Sequence, residues 1–203
     1  MTNELRNLLE QTNQLKFDGK YSEAISVCEE ILSEDPSCVE AYEEIGDNYI
    51  SLSDLPRAEK ALQKAVEVDP KSANAAYLLG FLFSCKRSWI KSIDLLEKAD
   101  ELKSNHPEIL RCLGWSYAMS GDRNKGIILL ERAKALAPSD IFVLTDLGVC
   151  YLNEKNIKKA LPIFRKIIEI DPENEKAREC LIIVEEYASS SKKLKGESNL
   201  FSA

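Results

Sequence analysis

The sequence predicts an all-α fold built as a tandem array of helix–turn–helix repeats. Glycines recur at a spacing of 34 residues, at Gly46, Gly80, Gly114 and Gly148. An aromatic residue follows each glycine after three positions, at Tyr49, Phe83, Tyr117 and Tyr151. Apolar residues also recur at steps of three and four on either side of short polar breaks, which favours pairs of helices. A fixed period of this length is typical of a repeat array, in which each repeat is one supersecondary element.

Five repeats follow one another, over 5–38, 39–72, 73–106, 107–140 and 141–174. The first repeat has Thr12 where the others have glycine, and we attribute this to a terminal repeat that lacks a preceding neighbour. The third has Ser104 where the others close with proline, so Pro107 is expected to stop its second helix three residues later. In the fifth, Pro162 falls inside the second helix and is expected to bend it.

The residues after the fifth repeat are expected to cap the array. Over 175–188 the apolar residues Ala177, Leu181 and Val184 recur at helical spacing and would cover the last repeat, which would otherwise expose its apolar face. The remaining residues, 189–203, are polar and are expected to form a mobile tail. We therefore expect one continuous body over 1–188.

Composition limits the classes of function. Of 203 residues, 44% are hydrophobic and 30% are charged, which indicates a globular chain, and the net charge of −7 argues against nucleic acid as the main ligand. The N-terminus has no apolar core of signal-peptide length, and no run approaches the roughly 20 apolar residues of a membrane span. We expect a cytoplasmic protein that does not insert into membranes.

The residue pattern predicts no enzyme. The six cysteines form no CxxC pair, and His106 is the single histidine, so no metal site is expected and the cysteines should be buried or half-buried reduced thiols. No serine or cysteine stands beside a base in a recognisable motif, and no phosphate-binding glycine loop is present. No catalytic, metal-binding or cofactor-binding residue is therefore predicted, and no cofactor.

The pattern resembles the tetratricopeptide repeat family over about 170 of the 203 residues. The agreement in phase extends beyond glycine and aromatic to an alanine in the second helix and a closing proline, at Ala65, Ala99, Ala133, Pro36, Pro70, Pro138 and Pro172. The resemblance implies an α-solenoid, a right-handed superhelix whose first helices line a concave groove. It also implies a non-catalytic scaffold or adaptor that binds a partner peptide or helix in that groove.

By this resemblance, the groove has two zones. The acidic zone contains Glu40, Glu43, Glu44 and Asp47. The apolar zone contains Tyr77, Leu78, Phe81, Trp115, Met119, Phe142, Val149 and Leu152, with Arg111 beside it. Because other residues already fill the core positions, the aromatic residues are expected to anchor a protein partner with apolar and basic side chains. The alternatives are an acidic zone that is only solvated surface and apolar side chains that neighbouring helices cover.

Other functions compete with this one. The groove of one copy could take the tail of another, including Leu200 and Phe201, and build a homo-oligomeric scaffold. A helical-repeat nucleic-acid binder is less favoured because the first helices offer only Arg6 and Arg111 as groove cations. A co-chaperone that clamps a peptide carboxylate is also less favoured, because Asn13 alone matches the residues of such clamps.

Overall fold

The computed structural model describes the backbone of residues 3–200 and the side chains of residues 5–189. Within this range the chain forms eleven α-helices and no strand. The helices are α1 (Asn3–Phe17), α2 (Tyr21–Glu34), α3 (Val39–Ser51), α4 (Leu55–Val68), α5 (Ala73–Cys85), α6 (Trp89–Leu102), α7 (Pro107–Ser120), α8 (Arg123–Leu136), α9 (Ile141–Asn153), α10 (Ile157–Ile170) and α11 (Glu175–Leu200). The predicted all-α class and the five helix pairs are confirmed.

The chain divides into two compact units. Unit 1, Met1–Ser104, contains the first three repeats, and unit 2, Asn105–Ala203, contains the fourth and fifth repeats and α11. Odd-numbered helices from α1 to α9 are the first helices of their repeats, and even-numbered helices are the second. The continuous body expected over 1–188 stays a prediction.

The recurring glycines lie where the two helices of one repeat approach most closely. A Cβ atom on Gly46 would lie 2.4 Å from Cγ of Leu62, and one on Gly148 would lie 2.9 Å from Cζ of Phe164. Each glycine thus faces the residue 16 positions later, on the second helix of its own repeat. In the first repeat the same pair is Thr12 and Cys28, which are both fully buried and in polar contact. Our explanation of Thr12 by a missing neighbour was wrong: the smaller Cys28 provides the space that glycine provides elsewhere.

The turn within each repeat requires one residue with positive φ. These residues also recur every 34 positions and have φ angles between 55° and 113°: Gly19, Ser53, Arg87, Gly121 and Lys155. Only two of the five are glycines, so three turns carry a backbone conformation that L-residues rarely adopt.

Second helices end at the same register in every repeat. Asp35, Asp69 and Asp171 are the C-caps of their helices, and their carboxylates accept a hydrogen bond from the backbone N–H two residues later. In the third repeat α6 ends at Leu102 although no proline follows at the usual position. Lys103 takes the cap position there, and its backbone N–H donates to the carbonyl oxygen of Ala99 at 2.8 Å.

Pro107 is the first residue of α7, where the missing N–H would have no helical partner in any case. The expectation that Pro107 stops α6 is therefore wrong. Pro162 does lie inside α10, as predicted.

The C-terminal helix covers the fifth repeat. Asn174 caps α11 by accepting the N–H of Ala177 at 3.0 Å, and Ala177 and Val184 are buried in the core around Phe164. The helix continues to Leu200 instead of ending near residue 188, since no proline interrupts it. The mobility of the tail stays a prediction, and residues 201–203 lie outside the described residues.

All six cysteines carry reduced thiols. Burial raises the pKa of Cys28 and of Cys150 to about 12, so these thiols stay protonated and behave as small apolar side chains. Cys85 is exposed, in contrast to the buried or half-buried position expected of every cysteine.

Candidate functional site on the first helices

The acidic zone lies on α3. Its residues occupy positions 40, 43, 44 and 47, and this spacing places them on one face of the helix. Glu40 is exposed, Glu44 and Asp47 are half-buried, and Glu43 is buried. The zone is therefore a graded surface in which Glu40 is the one exposed carboxylate.

A lysine of the first repeat neutralises part of the acidic zone. Nζ of Lys16, at the end of α1, lies 2.8 Å from Oε2 of Glu44 and 3.1 Å from Oδ2 of Asp47. Burial lowers the pKa of Lys16, but the hydrogen bonds and charges of the two carboxylates outweigh this and raise it. A basic residue of a partner would have to displace Lys16, so Glu44 and Asp47 are weaker contacts than predicted.

Glu43 holds two repeats together. Its carboxylate accepts a hydrogen bond from Oγ of Ser72 at 2.5 Å and one from Nδ2 of Asn74 at 2.7 Å. Burial raises the pKa of Glu43, while the two hydrogen bonds lower it, and the net shift is upward. With only 7% of its surface exposed, Glu43 links α3 to the start of α5. The structure thus corrects its assignment to a partner-binding groove.

Helix α5 supplies the aromatic residues of unit 1. The rings of Tyr77 and Phe81 stack, with centroids 6.4 Å apart and an interplanar angle of 21°, and both side chains are half-buried. Leu78 is 7% exposed and packs in the core with Leu62 and Phe83. Leu78 is therefore a core residue, which corrects its prediction as a groove residue.

In unit 2 the groove cation is already paired. Arg111 of α7 is 13% exposed, and its Nη1 lies 2.8 Å from Oδ2 of Asp146 on α9. Its Nε and Nη2 donate to the two oxygens of Glu108 at 3.2 and 2.5 Å. Burial lowers the pKa of Arg111, but the two carboxylates outweigh this effect and raise it. For Asp146 the balance is the reverse, since burial raises its pKa despite the nearby guanidinium. This half-buried triad connects the first helices of two repeats and leaves Arg111 little capacity for a partner.

Phe142 is the most accessible of the predicted apolar residues. Its side chain, in the first turn of α9, is 71% exposed, and the guanidinium carbon of Arg111 lies 5.8 Å from the ring centroid. Trp115, Met119 and Leu152 are half-buried and pack against the core of unit 2. These three residues are shared between core and surface, whereas Phe142 can be changed without opening the core.

The described residues contain no group of three or more histidine, cysteine or acidic side chains placed to hold a metal ion. None of their helices is long and apolar enough to cross a bilayer.

Comparisons with known proteins identify the repeats. Family models described as tetratricopeptide repeat match residues 18–80 and 143–174. The chain is a tetratricopeptide repeat (TPR) protein. A search of curated proteins by sequence found no match.

Several solved structures share the fold of this TPR protein. The crystal structure of MamA is 25% identical, with a TM-score of 0.64, and the match covers 81% of this chain and 96% of that one. The thermophilic TPR protein TTC0263 of Thermus thermophilus is 21% identical, with a TM-score of 0.74, over 91% of this chain and 97% of that one. YrrB, described as a TPR protein with an unusual peptide-binding site, is 22% identical, with a TM-score of 0.63, over 85% and 89%. These likenesses confirm the predicted solenoid fold class and support a general role in protein interaction.

Proposed function

We propose that this TPR protein is a non-catalytic scaffold or adaptor that binds a peptide or helix of a partner protein on its first helices. The observation that carries the proposal is the 71% exposure of Phe142, whose ring lies beside Arg111 while other residues complete the core. Exposed aromatic side chains next to a formed core are expected anchors of a recognition surface. The similarity to YrrB, which has a peptide-binding site, supports a peptide as the class of ligand.

Unit 1 would add a second contact region. The stacked rings of Tyr77 and Phe81 are half-buried and offer an apolar platform, and exposed Glu40 offers a carboxylate to a basic residue. Because Lys16 already pairs with Glu44 and Asp47, the electrostatic part of binding should be smaller than four free carboxylates would give. Apolar contacts should therefore dominate the affinity.

Affinity purification from the native cell, followed by binding measurements with the purified partner, tests the proposal. Phe142→Ala should weaken binding at least about tenfold, since an aromatic anchor contributes on the order of 2 kcal/mol. Its melting temperature should change little because the ring is mostly in solvent. Ile128→Ala on α8 is the matched control, since Ile128 is 68% exposed but belongs to a second helix. Equal binding by the two variants would contradict the proposal.

A homo-oligomeric scaffold is a second candidate, favoured by one observation. Helix α11 exposes Ile182, Ile183 and Tyr187, at 57%, 42% and 51%. If α11 pairs with another copy, Ile183→Glu combined with Tyr187→Glu should lower the molar mass measured by light scattering. Deletion of residues 189–203 tests the role of the tail in the same assay. A wild-type mass of 22.9 kDa at all concentrations would exclude self-assembly.

A further inference from the structure

The second helices of unit 2 form a basic surface in an acidic protein. Helices α8 and α10 together contain eight lysines and arginines but only two glutamates, although the chain has a net charge of −7. The second helix of the first repeat, α2, contains four glutamates and no lysine or arginine. Helix α4 contains three lysines and arginines and two glutamates, and α6 contains two lysines and four acidic residues, so a large basic excess on second helices occurs only in unit 2.

A cleft lies within this basic surface. It has a volume of about 470 Å³ and is bordered by α8, α9 and α10. Leu144, Pro162 and Ile163 give it apolar walls. Its charged lining consists of one carboxylate, Glu131, and four lysines: Lys134, Lys158, Lys159 and Lys166. We name this cleft the basic cleft.

Internal contacts neutralise only part of this charge. Glu131 forms an ion pair with Lys134 and accepts a hydrogen bond from the Tyr151 hydroxyl at 2.6 Å. Burial raises the pKa of Glu131, but these hydrogen bonds and the lysine charges outweigh it and lower the pKa, so Glu131 stays ionised. Nζ of Lys159 lies 3.3 Å from the Tyr151 hydroxyl, and Nζ of Lys166 donates a hydrogen bond to the Pro138 carbonyl at 2.5 Å. Neither contact supplies a negative charge.

Lys158 is exposed, and no hydrogen bond or ion pair to it is found among the described residues. Three ammonium groups of the basic cleft, on Lys158, Lys159 and Lys166, therefore form no ion pair with a carboxylate in the described part of the chain, although the charge of Lys159 acts on Glu131. A ligand with carboxylates would complement them.

The repeat provides an internal comparison. The corresponding cleft of unit 1 lies 102 residues earlier and has a volume of about 590 Å³. Its lining contains Arg57, Lys60 and Lys64 against two carboxylates, Glu29 and Glu67, and Lys64 pairs with Glu67 at 3.1 Å. The same position in the repeat thus forms a cleft in both units, but an excess of several positive charges occurs only in unit 2.

We infer that the basic cleft of unit 2 is a second docking site, for an acidic peptide segment that carries an apolar residue between its carboxylates. The carboxylates would pair with Lys158, Lys159 and Lys166, and the apolar side chain would enter against Pro162 and Ile163. A nucleic acid fits less well, because strand binding requires a long basic track with exposed aromatic platforms, whereas Tyr151 is only 3% exposed. The site lies on second helices and does not depend on the function proposed for the first helices.

Fluorescence anisotropy with a labelled peptide of alternating glutamate and leucine tests this inference on the full-length protein. Lys158→Glu combined with Lys159→Glu should weaken binding roughly tenfold or more, and added salt should weaken wild-type binding, since both changes reduce charge attraction. Lys158→Glu alone should weaken it several-fold and preserves the Lys159 contact with Tyr151. The matched control is Lys60→Glu with Lys64→Glu in the cleft of unit 1, which should leave the affinity unchanged.

Four results would overturn the inference. They are the absence of saturable binding, an equal loss in the unit 1 control, equal affinity for a glutamate–serine peptide, and tighter binding of a single-stranded oligonucleotide at the same site. The third result would show that the apolar walls are unused, and the fourth would identify a nucleic-acid site.

Discussion

The glycine of the second repeat allows a quantitative test of how the repeats are packed. In Gly46→Ala the new Cβ would lie 2.4 Å from Cγ and 2.5 Å from Cδ2 of Leu62, far inside the contact distance of about 3.5 to 4.0 Å. Leu62 is fully buried and has no solvent into which it can turn, so α3 and α4 would have to separate. Overpacking of this kind costs about 1 to 3 kcal/mol, against which alanine regains up to about 1 kcal/mol of helix propensity. We expect a net loss of about 1 to 2 kcal/mol.

The same substitution should change sign when the clash is removed. Leu62→Ala alone should cost about 2 to 5 kcal/mol because it opens a cavity. In that background Gly46→Ala no longer meets a leucine side chain, fills part of the cavity and favours the helix. It should then stabilise the protein by up to about 1 kcal/mol. Urea unfolding followed by far-UV circular dichroism measures all four proteins, and their slopes must agree before free energies are compared.

A simple result would refute this reasoning. If Gly46→Ala lowers the free energy of unfolding equally with Leu62 and with Ala at position 62, the glycine is required for some reason other than the Leu62 contact. Gly148→Ala should destabilise the protein less than Gly46→Ala, because the atom nearest to the new Cβ is 2.9 Å away instead of 2.4 Å.

Three further predictions concern turns and ion pairs. Lys155→Gly should raise the free energy of unfolding by about 0.5 to 1 kcal/mol, because φ is 55° at this position. Gly121→Ala at the matching turn should lower the free energy of unfolding by about 1 kcal/mol, and chemical denaturation measures both changes. Arg111→Ala should cost about 3 kcal/mol by leaving Asp146 buried and unpaired, and Arg111→Met with Asp146→Leu should recover much of this loss in the same assay. The pKa of Lys16 is raised in the folded state, so its ion pairs contribute stability fully below the unfolded pKa of about 10.4, and this contribution is lost as the pH rises above that value. In alkaline titrations the wild type should therefore lose more stability than Lys16→Met.

Most of the fold was predictable because one period controls it. The spacing of Gly46, Gly80, Gly114 and Gly148 located four repeats, the same period located the first, and the helix pairs follow from it. The interpretation of Thr12 failed because its partner, Cys28, lies on another helix, and no local pattern indicates which residue a small side chain faces. A comparison of positions 16 apart would have shown that glycine accompanies Leu62 and Phe164 whereas threonine accompanies cysteine.

The candidate site was less predictable than the fold. Exposure of a residue on a first helix depends on what the neighbouring repeats place against it. Leu78 is buried against Leu62 of the preceding repeat, whereas Phe142 is exposed, although both are apolar residues of first helices. Charged residues failed for a related reason. Lys16 lies 28 and 31 residues from the two carboxylates that it binds, and Asn74 lies 31 residues from Glu43. The acidic run on α3 therefore suggests four free charges although most of them are paired. A count of side-chain types along one helix cannot detect such pairs.

Net charge was the least informative property, because it averages over surfaces that differ in sign. The value of −7 argued against a basic stripe, yet it concealed the cluster around Lys158 and Lys159. The acidic zone that the resemblance implied on α3 is also smaller than its four carboxylates suggest, because internal pairing and burial leave Glu40 as the one exposed carboxylate of that zone. Apolar anchoring around Phe142 and charge complementarity at the basic cleft therefore involve different helices and different forces. Added salt should weaken a partner bound on the first helices only slightly and a partner bound at the basic cleft strongly, so the size of the salt dependence can assign a newly found partner to its surface.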